Sequence, residues 1–402
     1  MAKDSMMVGI KSLCDTLKEN SKIDPKLYEK FDVSRGLRRS DGTGVVAGIT
    51  NICNVHGYVI NEGERENAEG ELIYRGYNLL DILNKTEVNN VYGYEETVFL
   101  LIFGKVPSEQ ELKVFENWII ALRSVPNDFV IDMIYKAPSK NIMNKLARSI
   151  LALYSYDERV EDKSIENEVR TAARLIAQLP VIMAAAYHVK QNHYEGETLY
   201  LHNISPNENT AQSILSLLRV DREYTPQEAK LLDQMLIMHA EHGGGNNSTF
   251  TCRTLTSSGT DPYSAYAAAI GSLKGPKHGG ANIKVMEMLD DFKANVKDLA
   301  NEGQIADHMK KILEGQANDG SGLIYGMGHA IYTLSDPRAV FTKKKLEELA
   351  KGTDVEQDFQ VLKTVERLTP EVFKAVKGSN KTVCANVDMY SGLVYKMLGI
   401  PQ

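Results

Sequence analysis

The sequence predicts a mostly α-helical fold with one small β-element near its N-terminus. Three observations carry that expectation. Helix-opening signatures, in which Ser, Thr or Asp is followed by proline or glutamate at fixed offsets, recur along the chain. Apolar residues follow them at helical spacing. Beyond Tyr74 no stretch alternates like a strand, and no βαβ rhythm is present.

Taken in order, the first 35 residues read as an amphipathic helix and a polar linker ending near Arg35. Gly42 to Tyr74 carries short apolar runs with Gly and Asn between them (VVAGITNICNVHGYVI), which suit a small hairpin. After Pro107, Ser108 and Glu111 form a capping box, because each can satisfy a free N–H of the first turn. The helix it opens sets Leu112, Phe115, Ile119 and Leu122 on one face. Thr225-Pro226-Gln227-Glu228 repeats the device, with proline at the first helical position, where its missing N–H costs nothing. Leu232, Met235, Leu236 and His239 follow at helical spacing, and the glycines at 243–245 end the run. Asp336-Pro337-Arg338 opens another helix, closed by Gly352, and Thr369-Pro370-Glu371 is expected to open one more. The final run sets Leu393, Val394, Met397 and Leu398 on one face and stops at Gly399 and Pro401.

A chain of 402 residues exceeds the usual size of a single core, so two domains are expected. A formal net charge of -7 argues against nucleic acid or an anionic membrane as partner, since both rely on a large basic surface. No apolar run approaches the ~18–20 residues of a membrane span; VFLLIF and LPVIMAAAY read as core. Cys14, Cys53, Cys252 and Cys384 form no C-x-x-C pair and read as reduced thiols. The segment MAKDSMMVGIKSLCDTLKENSKID mixes acids with its lysines and lacks an apolar centre. It reads as neither signal nor transit peptide, and the cytoplasm is the expected location.

Candidate chemistry gathers at glycine-rich positions. His242 precedes the triple glycine, His278 precedes Gly279-Gly280, and His329 follows Gly326 and Gly328. Glycine beside a reactive side chain lets backbone approach a ligand closely. With Arg338 and Asp388 these imidazoles are the equipment for proton abstraction beside a carbonyl and for holding a small anionic substrate. Each has a structural rival: a histidine can be a satisfied core residue, Asp388 a helix N-cap and Arg338 a first-turn residue. His239, on the apolar side of its helix, reads as structural, and Asn246 as a partner within the glycine loop. His239 and His242 lie three apart, and His239-Ala240-Glu241 matches the H-x-E of zinc deaminases, but P-C-x-x-C and H-E-x-x-H are absent, so no metal is expected. GGGNNST follows a helix and not a strand, and no phosphate-binding G-x-x-x-x-G-K-[ST] occurs, so no nucleotide triphosphate or dinucleotide is expected.

GPKHGGAN around His278, GMGHAIYTLSDPR around His329 and NVDMYSG around Asp388 are similar to the three active-site segments of citrate synthases. HAEHGGGNNSTF resembles their substrate-binding segment, and GELIYRGYNLLDIL and YEETVFLLIFGKVPSEQEL match segments nearer the N-terminus. The resemblance implies a two-domain helical fold: a large helical domain over 1–278, a small helical domain inserted over 279–390, and 391–402 beginning the return to the large domain. It implies condensation of acetyl-CoA, as co-substrate, with oxaloacetate and hydrolysis of the citryl thioester, with no permanently bound cofactor. Asp388 would be the base, His278 the donor to the enolate oxygen and His329 the donor to the keto oxygen, with His242 and Arg338 binding substrate. It also implies a homodimer. A 2-methylcitrate synthase using propionyl-CoA would carry the same residues, because one methylene alters binding by only ~1–3 kcal/mol. A non-catalytic protein of the same fold is the competing class. Two departures stand out. Thr333 occupies a position where many bacterial relatives carry a basic residue, and the run Lys343-Lys344-Lys345 reads as a solvated helix face. Family members also usually continue beyond the position of Gln402 by about two helices bearing further substrate-binding arginines, so the chain as written is expected to bind oxaloacetate poorly.

Overall fold

The computed structural model describes residues 49–401 apart from 63, 276–277 and 379–381, together with residues 24, 26 and 30. Those three aside, the expected helix over the first 35 residues lies outside the described residues, as does the start of the expected β-element at 42–48.

The β-element is an antiparallel hairpin, β1 (Cys53–Asn61) against β2 (Glu64–Tyr74), with a short third strand β3 (Tyr77–Asn78) on its edge. Its ladder is irregular at one place: His56 pairs with Glu71 but Tyr58 pairs with Asn67, so one residue of β1 faces three of β2. That irregularity matters below, because the loop holding His329 rests on it.

Helices dominate the remaining described residues. In order they are α1 (Leu79–Val88), α2 (Tyr94–Phe103), α3 (Glu109–Leu122), α4 (Ile142–Leu153), α5 (Ile165–Lys190), α6 (Thr210–Leu218) and α7 (Pro226–His239). Then follow α8 (Asn247–Thr256), α9 (Pro262–Leu273), α10 (Ala281–Asn295), α11 (Glu302–Leu313), α12 (Pro337–Leu349), α13 (Glu356–Lys377) and α14 (Asp388–Met397). The expected capping boxes form at Ser108 and Thr225, and Asp336 caps α12 through the Arg338 N–H.

The expected helix start at Thr369-Pro370-Glu371 is wrong. All three residues lie inside α13, whose apolar face of Val361, Leu362, Val365, Leu368 and Val372 is buried without a break. The Thr369 hydroxyl donates back to the Val365 carbonyl instead of capping, and burial holds the helix through its proline. α5 also exceeds expectation. With the turn that follows it, Ile165–Glu195 is long and apolar enough by length and composition to cross a membrane. In the fold it is a core helix, burying Leu175, Ile182 and Val189 against Phe129, Ile150 and Tyr263.

Two helix N-termini are satisfied from a distance. Asp233 of α7 accepts the N–H groups of Gly93 (2.8 Å) and Tyr94 (3.1 Å) at the start of α2. Burial outweighs those bonds and pushes its carboxyl up to about 7. Glu95 of α2 in turn accepts the Thr210 N–H at the start of α6 (2.8 Å). The largest core joins Leu72 and Tyr74 of the hairpin to Met235 of α7, Leu289 of α10, Leu362 of α13 and Leu393 of α14.

Candidate active site

The His329 segment has no regular structure of its own and is held by its neighbours. On one side it is tied to the chain entering α14. Met327 and Ala385 form an antiparallel bridge, Gly328 N–H donates to Cys384 O (2.7 Å), and Asn386 N–H donates to Gly326 O (2.9 Å). The Asn386 side chain donates to Gly328 O (2.9 Å) and accepts the Asp388 N–H (3.0 Å). Gly326, at φ +80, is required there: a Cβ would lie 2.9 Å from the Met389 Cα. On the other side the segment rests on the hairpin irregularity. Thr333 donates to the carbonyl of Gly57, and Gly70 N–H donates to Ser335 Oγ (3.0 Å). Thr333 is therefore buried and committed to the sheet.

Three rings and a guanidinium meet in this segment. His329 stacks on Tyr332 with centroids 4.5 Å apart, and His242 meets His329 edge-on at 5.2 Å. His242 Nε2 is 3.1 Å from the Tyr332 hydroxyl, and Arg338 lies 5.9 Å from the Tyr332 ring centre. The Nδ1 of His329 accepts the N–H groups of both Ile331 and Tyr332 at 3.1 Å. A nitrogen that accepts two N–H bonds carries no proton, so the proton sits on Nε2, and the neutral ring is a hydrogen-bond donor there. Burial, then the Arg338 charge, holds His242 well below the usual histidine range.

Arg338 is buried and already paired. Its Nε and Nη2 donate to Asp336 at 3.0 and 2.7 Å, and Asp336 also accepts the Val387 N–H (3.2 Å). Burial opposes the guanidinium charge, but Asp336 outweighs it and raises the Arg338 pKa. One edge of the guanidinium expected to bind substrate is thus already taken by Asp336, since a buried cation needs a counter-charge when no substrate is bound. The Nη1 nitrogen lies on the edge away from that pair.

Asp388 is the first residue of α14 and not its N-cap, which is Val387; its amide is capped by Asn386. Burial pushes its carboxyl up to about 6, against the pull of Arg338 and with help from Asp336. His278 lies in the turn between α9 and α10, three residues before α10 begins. Its Nε2 is 2.9 Å from Ser248 Oγ of α8, and burial lowers its pKa. One bond links its neighbourhood to that of Asp388: Asn282 Nδ2 donates to Ser391 Oγ at 2.6 Å.

The structure therefore brings His242, His329 and Arg338 around Tyr332 and ties the Asp388 segment to them through backbone. It seats His278 on Ser248, one helix turn from a residue that grips α14. Sequence reasoning missed Tyr332, Ser248 and the second role of Asp336. Tyr332 sits one turn after His329, and Ser248 follows the glycine loop, but neither spacing is distinctive. Asn246 is the N-cap of α8, bonded to Gly243 O and Thr249, as expected of a loop partner. Lys343 pairs with Glu366, and Lys345 with Glu87 and Glu348.

A helical protein with half-buried imidazoles and a half-buried carboxylate of raised pKa has the attributes of an acid–base enzyme acting on a small substrate. The family model described as "Citrate synthase, C-terminal domain" matches residues 39–402, and the chain belongs to the citrate synthase family. It is 30% identical to the citrate synthase of Synechocystis sp. over 84% of this chain and 77% of that protein. It is 28% identical to the citrate/2-methylcitrate synthase of Bacillus subtilis over 93% of this chain and 88% of that one. Among solved structures it resembles the citrate synthase of Pyrobaculum aerophilum, with a TM-score of 0.70 at 27% identity, covering 88% of this chain and 81% of that chain.

Proposed function

We propose that the protein condenses acetyl-CoA with oxaloacetate and hydrolyses the resulting citryl-CoA to citrate and CoA. The observation that carries this reading is the pair of backbone N–H bonds to His329 Nδ1, which present a fixed Nε2–H donor on a ring stacked against Tyr332. In the proposed reaction the Asp388 carboxylate takes a proton from the methyl group of the thioester, and His278 donates to the enol oxygen as charge develops there. The enol carbon attacks the keto carbon of oxaloacetate, and His329 Nε2–H donates to the oxygen that becomes the alkoxide. Preorganised donors of this kind are worth ~3–4 kcal/mol each in a dry site. His242 and the Nη1 side of Arg338 bind oxaloacetate. Water then cleaves the citryl thioester, releasing CoA.

The cleft would lie between a large helical part (1–278) and the segment 279–390, where closure can exclude water. The cytoplasm is the proposed location, and a homodimer the proposed assembly. α8 buries none of its residues within one chain, although it carries Phe250, Cys252 and Leu255, and Tyr266 and Leu273 of α9 are exposed beside it. A second copy covering that face accounts for its composition. The name of the Bacillus subtilis relative keeps 2-methylcitrate formation from propionyl-CoA as the second reading. Thiol release from acetyl-CoA on addition of oxaloacetate, with citrate identified by mass spectrometry, tests the function. Oxaloacetate-independent thiol release, or none, would sink it.

A further inference from the structure

Tyr332 is buried where the residues proposed to hold oxaloacetate meet. Its ring stacks on His329 with centroids 4.5 Å apart and planes inclined at 30°, and it meets His242 near edge-on, at 5.5 Å and 71°. The Arg338 guanidinium lies over the same ring, 5.9 Å from its centre. One aromatic side chain thus adjoins His242, His329 and Arg338 together. It is itself seated on the hairpin: a Cβ on Gly57 would lie 2.6 Å from the Tyr332 Cα, and one on Gly70 would lie 2.8 Å from its Cδ1. Those approaches leave the ring no room to retreat on that side.

Tyr332 also decides where two protons sit. Its main-chain N–H, with that of Ile331, donates to His329 Nδ1 at 3.1 Å, which leaves the His329 proton on Nε2. Its hydroxyl lies 3.1 Å from His242 Nε2, and this is the bond that the hydroxyl makes among the described residues. Burial raises the phenol pKa, so the group keeps its proton, and a buried O–H needs an acceptor. His242 Nε2 is that acceptor, so the His242 proton sits on Nδ1. The two imidazoles carry their protons on opposite nitrogens, and each assignment runs through Tyr332.

We infer that Tyr332 is the positioning residue of the oxaloacetate half of the site, setting the tautomers of His242 and His329 and clamping their rings. This rests on the citrate synthase reading, in which both imidazoles face oxaloacetate. Tyr332 gives no atom to the reaction. Without its hydroxyl the His242 proton can occupy either nitrogen, and a fraction of the molecules presents a lone pair where oxaloacetate needs a donor. Substrate and transition state then lose the same binding, which raises KM and spares kcat.

The test pairs kinetics with spectra of the full chain. Tyr332→Phe keeps the ring and loses the hydroxyl. Its oxaloacetate KM should rise about tenfold, the scale of one buried hydrogen bond, with kcat and the acetyl-CoA KM changed far less. Tyr332→Leu loses the ring as well and should also lower kcat, because the His329 Nε2–H is no longer clamped. Nitrogen NMR of labelled histidine rings, assigned through His242→Gln and His329→Gln, should show Nδ1–H at His242 and Nε2–H at His329 in the parent. In Tyr332→Phe it should show a mixture at His242. A merely structural tyrosine would lower the melting temperature and leave those tautomers as they are. A proton on His242 Nε2 in the parent, or an unshifted His242 in Tyr332→Phe, overturns the assignment whatever the activity. So does an oxaloacetate KM in Tyr332→Phe within about twofold of an active parent. A parent with the expected tautomers that releases no thiol on addition of oxaloacetate overturns the proposed function, and the substrate role of Tyr332 with it.

Discussion

At the scale of single residues, Asp388 is where function and stability oppose each other. Its carboxyl is pushed up to about 6, above the ~3.9 of an unfolded chain. The proposed base works ionised, so kcat/KM should rise with pH through about 6. The linkage has the opposite sign. The folded state holds this proton more tightly than the unfolded one, so stability falls as pH rises from about 4 to about 6 and stays reduced above, by at most about 3 kcal/mol. Asp388→Asn should therefore cut turnover by ~10²–10⁴ while melting at least as high as the parent at pH 8 and gaining nothing at pH 4. A lower melting temperature at pH 8 would contradict the burial argument. His329→Ala should weaken oxaloacetate binding and turnover together, measured as KM and kcat. His278, His329 and Asp388 were legible because glycine and motif spacing mark their segments. Tyr332 and the Asp336–Arg338 pair were not, because their meaning lies in contacts across the fold. Nothing local tells an N-cap aspartate that also neutralises a buried guanidinium from one that does not.

Among elements, the hairpin carries more than its size suggests. Gly57 and Gly70 lie at its irregular step, and a Cβ on Gly57 would meet the Ile331 carbonyl oxygen at 2.6 Å. Gly57→Ala must push the His329 segment away, with an expected loss of ~1–3 kcal/mol in urea denaturation and a raised KM for oxaloacetate. An unchanged KM would show that the segment is seated elsewhere. The hairpin was readable from its apolar runs, yet its role as a seat was not, since that depends on residues more than 260 positions away. The capping boxes at Ser108 and Thr225 formed because their surroundings agreed with them. The Thr-Pro start expected at Thr369 failed because the buried face on both sides of it is continuous. Pro370→Ala should accordingly stabilise the protein, by up to ~3 kcal/mol less any gain in unfolded-chain freedom, because it restores an N–H to a helix interior. A lowered urea midpoint would show that the proline supports α13.

For the whole molecule, the helical class, the small sheet and the family were all available from sequence, because helix signals and motif order are local. Assembly is not local. If a second copy covers α8 and α9, multi-angle light scattering at micromolar concentration should give twice the chain mass. Replacing exposed Tyr266 and Leu273 together with lysine should then yield monomers. A monomeric parent would remove the explanation for the apolar residues of α8. The membrane-length hydropathy of α5 carries a related lesson: a helix surrounded by partners is apolar all round, whatever solvent lies beyond them.

The bridge between Met327 and Ala385 and the bonds from Asn386 set the donor and base segments in register largely through main chain. The bridge and the Asn386 bonds thus use neither side chain at 329 or 388, although the His329 ring also accepts the Ile331 and Tyr332 N–H groups. A chemist wishing to fit a different electrophile could vary those two positions and retain their spacing, whereas changing Gly326 or Asn386 would spoil every such design at once. The part of this protein most open to redesign is the pair proposed to perform the chemistry, and the part least open is the unreactive frame around it.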